Sequence, residues 1–170
     1  MPTIADVYHA INALHSEGVV EDYAIGGGMA ALFYAETTLT FDVDVFVLIP
    51  QSGLLIDLSP IYDWARTRNY EVRDEYLVMH GVPVQILIAS PGLETEAIEN
   101  ANIISQADVP VRVMKPEYLI ALYIKTGGDK RRGRARDLFA EESIDKTRLK
   151  DVLTRFDLLE KWRQNGGEEL

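Results

Sequence analysis

Two aspartates one residue apart, Asp42 and Asp44, stand inside the stretch Thr38-Leu39-Thr40-Phe41-Asp42-Val43-Asp44-Val45-Phe46-Val47-Leu48-Ile49, which Pro50 closes. Its β-branched and aromatic residues favour pleated backbone, so a strand is expected over 38–49. Side chains alternate across a strand, which sets Asp42 and Asp44 on one side and Phe41, Val43, Val45 and Val47 on the other. At a separation of roughly 6 Å and an effective dielectric near 20, two such charges repel by about 2 to 3 kcal/mol. A divalent cation between them, a raised pKa on one of them, or open water at a sheet edge would offset that repulsion. The chain has no cysteine, so a metal must use carboxylates or histidine, and oxygen ligands favour Mg²⁺ or Mn²⁺. His9, His15 and His80 form no ligand pattern and are expected at the surface.

A second group of residues suits anions. Gly26-Gly27-Gly28 follows the short apolar run Tyr23-Ala24-Ile25 and precedes the helix-favouring Met29 to Ala35. A glycine-rich turn from strand to helix lets backbone amides approach a phosphate closely. Much farther along, Lys125, Lys130, Arg131, Arg132, Arg134 and Arg136 crowd one stretch of a chain whose net charge is −10. Such an acidic surface disfavours general adhesion to nucleic acid, and the local basic cluster points instead to a confined anion site.

The elements that must hold these groups can be read from periodicity. Ile4, Val7, Tyr8, Ile11 and Leu14 predict a first amphipathic helix ending near Gly18. Ser59-Pro60 caps a helix running to about Arg68; Tyr70 to Val72 is a strand; and Tyr76 to His80 with Val84 to Ile88 flank Gly81-Val82-Pro83 as a hairpin. A helix is expected at Leu93 to Ala101, a last strand at Val111 to Met114, and a helix opened by Pro116 over Glu117 to Thr126. Helices over Arg134 to Glu142, Lys146 to Phe156 and Leu158 to Gln164 complete the chain. Trp64 and Trp162 read as core anchors.

With 170 residues, 47% hydrophobic and 26% charged, the composition is that of an ordinary globular chain. One domain is expected over 1–170, with an α/β core in 1–114 and a helical group in 115–165. No long apolar run and no basic leader followed by an apolar segment occurs, which predicts a cytoplasmic protein that does not enter a membrane. The absence of a nucleophile elbow and of G-x-x-x-x-G-K-[ST] argues against a serine hydrolase and a Walker-type NTPase.

Taken together, Gly26-Gly27-Gly28 followed about a dozen residues later by Asp42-Val43-Asp44 resembles the signature of the nucleotidyltransferase superfamily. Leu119-Ile120-Ala121-Leu122-Tyr123-Ile124-Lys125 and Gly133-Arg134-Ala135-Arg136-Asp137-Leu138 are similar to the helix pair of AbiEii-like and related minimal members. The resemblance implies an α/β (α+β) fold with a mixed sheet flanked by helices and a C-terminal helical group. It implies Mg²⁺ (or Mn²⁺) on Asp42 and Asp44, and triphosphate on Gly26, Gly27, Gly28, Lys125, Arg134 and Arg136. Asp137 would orient or activate a reacting group. The implied activity is transfer of a nucleotide from an NTP to a tRNA or other RNA or protein hydroxyl, as a toxin-like enzyme with an antitoxin protein as partner. Full-triad members carry a third carboxylate on a later strand, where this chain has Gln85. An amide is a poor Mg²⁺ ligand, so a catalytically inert nucleotide-binding or partner-binding member is the alternative. Glu71, Asp74 and Glu75 are the nearby acids that could substitute.

Overall fold

In the computed structural model, which describes residues 1–50 and 55–170, a seven-stranded mixed sheet is flanked by helices, the α/β arrangement expected from sequence. The chain runs α1 (Ile4–Ser16), β1 (Asp22–Ile25), α2 (Gly27–Ala31), β2 (Val43–Leu48), α3 (Ser59–Thr67), β3 (Glu71–Arg73), β4 (Tyr76–Met79) and β5 (Val82–Ile88). It continues with α4 (Leu93–Glu99), β6 (Asn102–Gln106), β7 (Val109–Val113), α5 (Pro116–Thr126), α6 (Asp129–Phe139), α7 (Lys146–Arg155) and α8 (Leu159–Gln164). The strand order is β3-β4-β5-β2-β1-β7-β6. β2 is central, antiparallel to β1 and parallel to β5.

Alternation along β2 divides the molecule. Val43, Val45 and Val47 are fully buried, and the register Tyr23↔Val47 and Ile25↔Val45 places them on the face that α1 covers through Tyr23, whose hydroxyl donates to Asn12. α3 is tied to the end of α1, since Glu17 accepts from Trp64 Nε1 at 2.9 Å and also from Arg68. Asp44 and Phe46 point to the opposite face, where α4 packs on β1 and β2 with α5 against it and α6 against α5, while Tyr76, Val78 and Pro83 of β4 and β5 line a cleft. α5 is the core of the helical group: Tyr118 to Ile124 are all buried, and α6 and α7 pack against it. Its buried Glu117 accepts the Asp145 amide at 2.8 Å, which anchors the start of α7.

Several boundaries differ from those expected. The strand at the two aspartates begins at Val43 and not at Thr38, so Asp42 precedes it. The glycine turn is itself helical: α2 starts at Gly27 and stops at Ala31, short of Ala35. α6 starts at Asp129, putting Lys130, Arg131 and Arg132 in its first turns, and it ends at Phe139 before Glu142. β6, which no expectation covered, pairs with β7 through a turn at Ala107 and Asp108, both at positive φ. All three histidines are exposed and both tryptophans buried, as expected.

Candidate active site

The site is built where β1 hands over to α2. The Gly26 amide donates to the Asp44 carbonyl at 2.9 Å, which fastens the start of the turn to β2. Gly27 then takes φ +56°, a left-handed conformation that side chains resist. A Cβ at Gly27 would collide with the carboxylate of Asp44, its Cγ only 2.7 Å away. One at Gly28 would fall 2.7 Å from Arg134 Nη1 and closer still to the rest of that guanidinium. The glycines are therefore what allow an acid from β2 and an arginine from α6 to touch the same turn. Because Gly27 and Gly28 open a helix, their amides have no intrahelical acceptor and are available to an anion. Gly27→Ala is expected to cost at least about 2 kcal/mol from positive φ and displacement of Asp44, readable as a lowered midpoint in urea unfolding.

Arg134 is 7% exposed. Its Nη2 lies a long 3.4 Å from the Thr38 carbonyl, and its Nε has no hydrogen-bond partner among the described residues. A buried cation without a carboxylate partner is costly unless an anion arrives. Tyr123 of α5 donates its hydroxyl to the Gly27 carbonyl and so fixes the turn from the other side. Burial pushes that hydroxyl's pKa well up, an effect that Arg134 opposes and Asp44 adds to.

Electrostatics brings the acids into the same neighbourhood. Burial raises the Asp44 carboxyl above its ordinary pKa, the charge of Asp42 raises it further, and Arg131 and Arg134 work against both. Asp42 is held from its own loop by the Thr40 hydroxyl. Across the sheet, Asp44 is in register with Gln85 on β5, and Gln85 with Tyr76 on β4. No carboxylate replaces Gln85 in that row. Glu71 is engaged by Arg73 at 3.0 Å, Asp74 occupies a turn at positive φ, and Glu75 lines a cavity with Leu58, Ile61 and Tyr76.

Of the other residues implied by the resemblance, Asp137 accepts the Thr37 hydroxyl at 2.6 Å, one residue from the Thr38 carbonyl that Arg134 reaches. It thereby braces the loop that leads to Asp42. Lys125 and Arg136 are exposed, and each lies two residues, about 200° of helix, from Tyr123 and Arg134 respectively. Tyr123 and Tyr76 were not singled out from sequence. Tyr123 stands two residues before Lys125, and that spacing alone assigns it no contact with the glycine turn.

The donor set suits a hard divalent cation. Two carboxylates share the site, and among the described residues no group of three or more His, Cys, Asp or Glu side chains could hold a metal alone. Mg²⁺ is commonly bound in that way, by one or two carboxylates with substrate phosphates and water completing its shell.

No family model matches the chain, and no curated protein sequence matches it. Solved structures do. The crystal structure of ANT(2")-Ia in complex with adenylyl-2"-tobramycin superimposes with a TM-score of 0.55 at 18% identity, covering 89% of this chain and 95% of that one. The solution structure of the same antibiotic-resistance factor gives 0.52 at 18% identity, over 96% and 99% of the two chains. An antigenic nucleotidyltransferase-like protein from Paracoccidioides brasiliensis gives 0.55 at 14% identity, over 94% and 89%. At these identities the likeness is one of architecture, and the chain has a nucleotidyltransferase-like fold.

Proposed function

We propose that the chain is a metal-dependent nucleotidyltransferase that binds an NTP at the Gly26–Gly28 turn and moves its nucleotidyl group to an acceptor. The observation that carries this reading is the close approach of Gly27 to the carboxylate of Asp44, which joins a glycine turn with free amides to a carboxylate pair. Amides of Gly27 and Gly28 bind triphosphate oxygens, and Arg134 supplies a cation beside them. Tyr123 holds the turn, Thr40 orients Asp42, and Asp137 holds the intervening loop through Thr37. A divalent cation on Asp42 and Asp44 would neutralise phosphate charge and align the triphosphate. The chain's own contribution is positioning and preorganised charge. The architecture shared with ANT(2")-Ia, solved with an adenylylated compound, supports the same class of reaction.

A thermal-shift panel of ATP, GTP, CTP and UTP, each with and without Mg²⁺, tests the reading. Ligand at 100 times its Kd should stabilise by about 2.7 kcal/mol, with the shift dependent on Mg²⁺. If none of the four nucleotides moves the melting temperature, the reading fails. The second reading, an inert nucleotide-binding or partner-binding member, is favoured by Gln85 beside Asp44. Transfer of radiolabelled nucleotide that is absent in wild type and appears in Gln85→Asp would support it; robust wild-type transfer would eliminate it.

A further inference from the structure

The open part of the sheet forms a cleft next to Asp42. Leu39 and Phe41 of the preceding loop form one wall, Tyr76 and Val78 of β4 form the floor, and Arg73 and Lys130 stand at its rim. Leu39 and Phe41 are 68% and 84% exposed, which is unusual for apolar side chains beside a polar site. Among the described residues Lys130 makes no ion pair, and Arg73 pairs only with Glu71 of its own strand. In a chain of net charge −10, a cleft with two rim cations and apolar walls is matched to an anion carrying an apolar group.

Among the described residues the lining of this cleft holds one carboxylate, Asp42, and no histidine. A hydroxyl keeps its proton at neutral pH and needs a base in order to attack phosphorus. The position beside Asp44 is Gln85, whose amide takes no proton. A cation on Asp42 and Asp44 would take up the oxygens that could accept that proton, and Asp137 already accepts from the Thr37 hydroxyl. His80, the only histidine on this hairpin, contacts Tyr70 at 3.2 Å.

We propose that the acceptor is an oxyanion, a phosphate monoester or carboxylate bearing an apolar or aromatic group, bound between Phe41, Leu39 and Tyr76 with its charge on Lys130 and Arg73, in place of the hydroxyl that the resemblance implies. This rests on the nucleotidyltransferase reading above and names its acceptor class. An acceptor oxygen forms a bond to the α-phosphorus of the NTP, and the bond from that phosphorus to the β-phosphate bridging oxygen breaks. The electron pair leaves on pyrophosphate. No proton has to be removed from the nucleophile, because a carboxylate or phosphate monoester is already ionised at neutral pH.

Benzyl phosphate, phenylacetate and benzyl alcohol serve as probes with the full chain. Binding is measured by calorimetry without nucleotide or metal, and transfer is measured from α-³²P-labelled NTP with Mg²⁺. At least one of the two oxyanions should bind tenfold or more tightly than the alcohol, should lose that advantage in the Arg73→Ala, Lys130→Ala double variant, and should take label at least tenfold faster. Which oxyanion is labelled distinguishes phosphate from carboxylate. Equal or faster labelling of benzyl alcohol overturns the proposal, as does oxyanion binding unchanged in the double variant, or failure of both oxyanions to bind. NTP binding in the same double variant should equal wild type. Loss of NTP binding in the wild-type chain would instead strike the nucleotidyltransferase reading, leaving the nucleotide-free oxyanion measurement to stand or fall separately.

Discussion

Asp44→Asn should lower Mg²⁺-dependent nucleotide transfer at least a thousandfold while raising the melting temperature of the ligand-free protein. Both effects come from one feature, a carboxylate partly withdrawn from water beside a second carboxylate. Burial and Asp42 raise its pKa, so ionising it in the folded state is unfavourable relative to the unfolded chain. For a group whose folded pKa is raised, that cost is absent below the unfolded value near 3.9, accumulates as pH rises through the folded value, and is complete above it. The asparagine variant avoids the cost. Its gain, about 0.5–2 kcal/mol, should therefore be visible at pH 8 and vanish at the acid end. At about 2–4 °C per kcal/mol for a chain of this size, differential scanning calorimetry can resolve it. A variant less stable than wild type at pH 8 would show that the carboxylate is compensated within the protein and is not waiting for a cation.

The second large effect belongs to Arg134. Its guanidinium is buried against Gly28 with an unpartnered Nε, and no carboxylate pairs with it among the described residues. Arg134→Met keeps most of the aliphatic volume and removes the charge. Calorimetric NTP affinity is expected to fall about a hundredfold or more, in the range seen when a preorganised charge or donor is lost from a phosphate or oxyanion site. The melting temperature should change by only a few degrees, because deleting a buried, poorly partnered cation offsets the lost hydrogen bonding. Arg134→Lys should not restore binding, since an ammonium cannot present the planar fork that lies along the turn. Unaltered NTP affinity in the methionine variant would remove Arg134 from the site and leave the glycine turn without its cation.

Much of this architecture could be read from the chain because its signals are periodic and local. The β2 core, the hairpin of β4 and β5 and the proline-opened α5 follow from alternation or helical spacing, and the resemblance to full-triad members singled out Gln85, which the structure pairs with Asp44. β6 escaped because it is an edge strand with Ile103 exposed, and because its turn uses Ala107 at positive φ, where a reader looks for Asn or Gly. The start of α6 was hidden by Gly127 and Gly128 and by a run of charged residues, Asp129 to Arg132, that carries no apolar spacing. At the site, the acids and glycines carry residue types tied to a chemistry. Tyr123, Tyr76 and the bracing of the loop by Thr37 and Thr40 depend on where distant elements meet, which spacing along one chain does not encode.

The missing side chain at position 27 and the acid at position 44 occupy one shared volume. A descendant of this protein therefore cannot acquire even a methyl group at the first of these positions without displacing the second, and shortening residue 44 to alanine does not release the glycine, because a Cβ at 27 would still lie 2.9 Å from the Cβ of residue 44 and φ there is +56°. Glycine at 27 should therefore outlast the acid at 44 in lines that abandon the reaction.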